Sequence, residues 1–169
     1  MSRAVREPTV PSTSRRTLLA SLGSVAVGGV AGCASLRSDR PPAGSLRFEN
    51  DHDLPHAITM RVTDVGSDPG NGPDAVVGDP VVTPAQRNLT ASTTVEPGER
   101  RTYEGVFTEP VWYAVAFMVD GRAPANDAGV TAFHPAPSTD ERGSFLSGSV
   151  YASGDFSWVV SSTGDDGPF

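Results

Sequence analysis

VWYAVAFMVDG, Val111–Gly121, carries the strongest strand pattern of this chain. Val111, Tyr113, Val115, Phe117 and Val119 fall on one face of an extended strand, and Trp112, Ala114, Ala116 and Met118 on the other. A strand apolar on both faces sits centrally in its sheet, covered from each side. Asp120-Gly121 then signals a tight turn.

The flanking sequence keeps the same period of two. LRFEN sets Leu46 and Phe48 against Arg47 and Glu49, and HAITMRVTD sets Ile58, Met60 and Val62 against Thr59, Arg61 and Thr63. Asp51-His52-Asp53-Leu54-Pro55 lies between them and is rich in turn residues, so the two strands read as a hairpin. Pro97-Gly98 suits the centre of a type II turn, and beyond it Tyr103 and Phe107 share a face. FLSGSVYAS and DFSWVVSS, the latter with Phe156, Trp158 and Val160 on one face, close the series. No segment after Cys33 sustains helical periodicity for three turns. About seven short strands with turns between them imply an all-β antiparallel sandwich over residues 45–161. Two stretches rich in Pro, Gly and Asp, 65–87 and 122–143, interrupt it and read as mobile loops, and 162–169 reads as a flexible tail.

The strand layout, with the F-E-N-D-H-D-x-P-H and V-E-P-G-E-R-R-T-Y-E turns, resembles the immunoglobulin-like or cupredoxin-like domains of haloarchaeal surface lipoproteins. That resemblance implies an architecture and no activity. All 13 basic residues are arginine; there is no lysine. An acidic, lysine-free chain of this kind is similar to proteins of salt-loving archaea, whose dense carboxylates hold water in concentrated salt.

The opening 32 residues differ in kind. Arg3, Arg6, Arg15 and Arg16 precede Thr17–Gly32, an uncharged run of 16 residues. As a helix it would reach about 24 Å, short of the ~30 Å hydrocarbon core. A removable signal fits better than a membrane span. Ser14-Arg15-Arg16-Thr17-Leu18-Leu19 resembles the twin-arginine export motif, and Val30-Ala31-Gly32-Cys33 resembles a lipobox. These resemblances imply export of a folded chain by the twin-arginine translocon, cleavage after Gly32 and lipidation of Cys33. Residues 1–32 are then the signal, and 33–44, which include Pro41-Pro42, a lipidated tether. The expected place is the extracellular face of the cytoplasmic membrane. The 169 residues hold one cysteine, so no disulfide within the chain supports the domain.

From Cys33 onward, 9 arginines face 19 acidic residues, a net charge of −10. Such a surface repels nucleic acid. His52 and His56, with Asp51 and Asp53 and with His134 elsewhere, are candidate ligands for copper or another transition metal. In an extended strand the four-residue spacing holds the first two about 13 Å apart, so a turn at Pro55 must close the gap. A blue-copper centre also needs a thiolate, and the one thiol belongs to the lipobox. Asp64, Asp68, Asn71 and Asp74 offer oxygen ligands without the spacing of a calcium loop. Asn88-Leu89-Thr90 is a glycosylation sequon. Trp112, Tyr151 and Trp158 suit either a stacking surface or the core. No G-x-S-x-G elbow marks a nucleophile, though a Ser/His/Asp triad assembled in space stays open. The expectation is a non-catalytic, membrane-anchored module binding a surface protein or ligand. A metal carrier and a secreted hydrolase are the rivals.

Overall fold

A computed structural model describes residues 40–125, 128–136 and 142–169. It is an all-β sandwich of two four-stranded sheets. The first is ordered β10-β9-β1-β6, from β1 (Leu46–Asn50), β6 (Arg100–Tyr103), β9 (Ser144–Val150) and β10 (Phe156–Ser162). The second is ordered β5-β2-β7-β8, from β2 (His56–Gly66), β5 (Thr90–Val95), β7 (Trp112–Val119) and β8 (Val130–Phe133). A two-residue ladder, β3 (Asp68–Pro69) with β4 (Val76–Val77), and a single helical turn, α1 (Pro84–Arg87), lie within the stretch expected as loop.

The core is what period-two patterning demands. Leu46 and Phe48 of β1 meet Ile58, Met60 and Val62 of β2 and Tyr113, Val115 and Phe117 of β7, all at most 4 % exposed. The other face of β7 is less complete: Ala114 is buried but Met118 is exposed. In β2 the alternation shifts by one residue after Val62, where a bulge against β7 turns Val65 inward. Gly148 of β9 lies between Phe117 and Phe156, whose ring centres are 5.2 Å apart; an added Cβ would stand 3.0 Å from both rings.

Three expectations need correction. First, β1 and β2 do not form a hairpin: β1 pairs with β6 and β9, β2 with β5 and β7. Each strand has one face that must be buried, and facing sheets bury both where a hairpin would bury neither against the other. The five residues 51–55 therefore arch from one sheet to the other. Residues 96–99 do the same between β5 and β6, through the expected type II turn: Glu99 N–H donates to the Glu96 carbonyl (2.9 Å) and Gly98 has φ 72°. Second, one pairing, β1 with β9, is parallel. Third, the closing segment is tied down. Thr163 is buried and donates to the Gly143 carbonyl (2.8 Å), and Ala43 N–H donates to that of Asp165 (3.1 Å). Pro41, Ala43 and Gly44 are buried as well, so the end of the tether belongs to the domain.

The register fixes the two ends of the sandwich. Leu46 lies level with Tyr103 and Leu146, beside residues 41–44 and 163–165. About 13 Å along β1, Asn50 lies level with Val150 and its carbonyl accepts from Gly98 N–H. Four short loops gather at that far end: 51–55, 96–99, 120–121 and 151–155.

Candidate functional site

The site at the far end is built on Asn50, which is wholly buried. Its Nδ2 donates to the carbonyls of Leu54 (2.8 Å) and Val95 (2.9 Å), and its Oδ1 accepts from His52 N–H (3.0 Å). This Asx turn coils residues 51–55 tightly enough to reverse the chain. His52 and His56 are thereby brought side by side, with His52 Nδ1 2.8 Å from His56 Nε2 and ring centres 5.0 Å apart. The turn at Pro55 that the spacing required is present.

A carboxylate backs each ring. Asp120 stands in the tight turn after β7 with φ 51°, followed by Gly121 at 75°, the two-residue geometry that Asp-Gly favours. Asp120 Oδ1 accepts from Ala57 N–H (2.9 Å) and Oδ2 lies 2.7 Å from His56 Nδ1. The backbone bond from Ala57 first, and the His56 bond second, hold the Asp120 carboxyl below its ordinary range. Asp53 Oδ1 lies 3.3 Å from His52 Nε2. The ionised Asp120 can only accept, so His56 carries its proton on Nδ1 and offers a lone pair at Nε2. His52 Nδ1 must then donate to that lone pair. The result is a hydrogen-bonded line, His52–His56–Asp120, with the Asp53 carboxylate standing beside the unprotonated His52 Nε2. These side chains are unevenly exposed: 21 % for His52 and 13 % for His56, against 88 % for Asp53. Leu54 and Tyr151 of the loops at this end are exposed, and a Cβ added at Gly154 would stand 3.7 Å from the His52 ring.

The remaining expected residues do not join this group. His134 follows β8 at the opposite end of the 11-residue β2, on the order of 30 Å away. Its ring meets Trp112 edge-on at 5.3 Å, and burial depresses its pKa. Asp64 sits at the β2 bulge and accepts from its neighbour Val65, while Asp68 is exposed in β3. Among the described residues no three or more His, Cys, Asp or Glu converge as metal ligands. Trp158 packs on the core from β10, Trp112 lies at the tether end and Tyr151 at the far end, so the three aromatics share no surface. Ser153 donates to Asp155 of its own loop (2.8 Å). Asn88 caps α1, exposed, with Nδ2 on the Pro84 carbonyl (2.9 Å); it borders an open depression of about 420 Å³ shared with Arg61, Arg87 and Thr90. Arg15, Arg16, Val30, Ala31, Gly32 and Cys33 lie outside the described residues.

Asn50 and Asp120 are the members that sequence reasoning passed over. Asp120 was legible only as a turn residue. Asn50 closes a strand otherwise read as half-buried. Comparison with known protein families, curated proteins and solved structures returned no match.

Proposed function

We propose that this chain is a non-catalytic, lipid-anchored module that presents the Asp53–His52–His56–Asp120 end of its sandwich away from the membrane. The observation that supports this is the placement of the tether end and the four-loop end at opposite ends of β1. If Cys33 carries lipid, the seven residues from there to Arg40 reach at most about 25 Å. The tether pole then rides near the bilayer and the loop end faces the medium. The export motif at Arg15-Arg16 and the lipobox 30–33 give the route in this reading: the twin-arginine translocon, the folded domain as cargo, and the outer face of a haloarchaeal cytoplasmic membrane as destination. A domain without disulfides must fold on its core, and folding before export suits that route. The partner is a surface protein or ligand met by the exposed loop end, whose carboxylates favour cationic or hydrogen-bond-donating chemistry over nucleic acid.

The test is whole-protein mass spectrometry on membrane fractions, paired with Cys33→Ser. The expected mature species lacks residues 1–32 and carries added alkyl mass, and the serine variant leaves the membrane fraction. A mature species beginning at Ser2, or a serine variant that partitions as firmly as the wild type, ends this reading.

A further inference from the structure

We infer that His52 Nδ1 and His56 Nε2 form a two-imidazole site for a tetragonal divalent transition metal, copper(II) above zinc(II). The spacing carries the argument. Two nitrogens each about 2.0 Å from one metal lie about 2.8 Å apart at a 90° angle and about 3.3 Å apart at a tetrahedral one. The two ring nitrogens already stand 2.8 Å apart. A tetragonal ion keeps the nitrogens at the separation they already have and asks the rings to turn from each other toward the metal; a tetrahedral ion must also push them apart. The Irving–Williams order favours copper(II) in the same sense.

The outer nitrogens are arranged as such a site requires. A metal-bound histidine holds its other N–H against a carboxylate or carbonyl, which fixes the tautomer. Asp120 does this for His56 at 2.7 Å and Asp53 stands ready to do it for His52 at 3.3 Å. The proton count closes. In the neutral pair His52 carries its proton on Nδ1; on binding, that proton moves to Nε2, facing Asp53, and Nδ1 takes the metal. No proton leaves. Water, or groups of a docked partner, complete the coordination from the solvent side, since both rings are partly exposed. This inference does not depend on the anchor.

The experiment uses the full chain with Cys33→Ser, so that the thiol does not compete for or reduce the ion, and copper(II) chloride as probe. One equivalent should bind, with an electron paramagnetic resonance spectrum split by two nitrogens, at least about tenfold tighter than zinc(II). His52→Ala and His56→Ala should each weaken binding about thirtyfold or more and remove one nitrogen from the spectrum, and His134→Ala should change neither. Asp120→Asn, which the turn tolerates, should weaken binding about 10–100-fold and shift the hyperfine splitting without moving the melting temperature by much. His56→Gln repeats the loss in a variant that keeps a hydrogen-bonding side chain beside Asp120, should the alanine variant fold poorly. Less than a tenth of an equivalent bound, binding undiminished by loss of either ring, or a preference for zinc(II) overturns the inference.

Discussion

Asn50→Asp changes one atom of a buried side chain and should unfold much of what the loop end depends on. In the wild type the amide donates twice, to Leu54 and Val95, at 2.8 and 2.9 Å. A carboxylate in the same place has no proton for either bond and points its charge at two carbonyl oxygens. Two bonds to carbonyls are worth about 1 kcal/mol each, and the Val95 carbonyl, left buried without its donor, costs about 1–3 kcal/mol more. With the burden of a buried charge, the variant should be destabilised by about 3–5 kcal/mol at pH 7.5. The pH dependence follows in sign. Burial among carbonyls raises the new carboxyl's folded-state pKa above the unfolded value of about 3.9. The folded variant thus keeps a proton that its unfolded chain releases, and stability falls as pH rises from about 4 through the raised pKa. At pH 4 the protonated acid donates to one of the two carbonyls and recovers part of the loss. Urea unfolding at pH 4 and pH 7.5 reads this out. The midpoint should drop by about 2 M at the higher pH, given a slope of about 1–3 kcal/mol/M, and by clearly less at the lower. A variant as stable as the wild type at pH 7.5, or one whose deficit ignores pH, refutes the role given to the amide.

Other outcomes follow from the same geometry. Gly148→Ala should cost about 1–3 kcal/mol in a thermal or urea melt, because the new methyl meets Phe117 and Phe156 at 3.0 Å across the two sheets. Tyr113→Phe removes a hydroxyl that donates to the Gln86 side-chain oxygen at 2.8 Å; the loss should be about 1–2 kcal/mol by urea unfolding. Burial pushes the Tyr113 hydroxyl up to about 12, so in the wild type its ultraviolet titration should come well above the ordinary tyrosine value of about 10. His134 should titrate below 6.5 by NMR, since burial disfavours its charged form. That depressed pKa contributes stability fully present above the unfolded value and lost as pH falls through the folded one, and His134→Phe should flatten this loss.

The fold was legible because burial writes itself into alternation. Ile58, Met60 and Val62 all turn inward as their spacing required, and so do Tyr113, Val115 and Phe117. Pairing was not legible to the same degree. Nothing local to 46–66 distinguishes a hairpin from an arch, because both need a turn at 51–55 and both bury Phe48 and Ile58 on one face. The parallel partner of β1 comes from about a hundred residues downstream, beyond what any local pattern reports. The candidate site shows the same division. Two histidines flanking a Pro turn were visible as a cluster, and their meeting was conditional on a turn that exists. His134 joined them in the reading only because it was a third histidine; strand direction places it at the wrong end. Asn50 also reaches Val95, 45 residues away, and Asp120 acts on atoms 63 and 64 residues away along the chain; no spacing rule exposes those bonds.

Topology also bears on how such a module would carry load from its tether. Residues 41–44 lead directly into β1, which is bonded on both sides, to β6 and β9. A pull from the tether runs along the strand axis, so both ladders bear it in shear. The C-terminal segment instead leads into β10, which among the described residues is an edge strand with β9 as its one ladder partner. Both segments emerge at the same end, so one domain allows the two pulls to be compared against a common handle at Gly121. In a single-molecule force experiment the tether-side pull should need roughly twice the force of the C-terminal one, two ladders against one. Rupture under load reports the unfolding barrier and not the equilibrium, so solution stability need not track it. Equal forces from the two ends would mean that the Thr163 and Ala43 bonds, and not the ladders, set the barrier. A weaker tether-side pull would show that β1 is not the strand that anchors the fold.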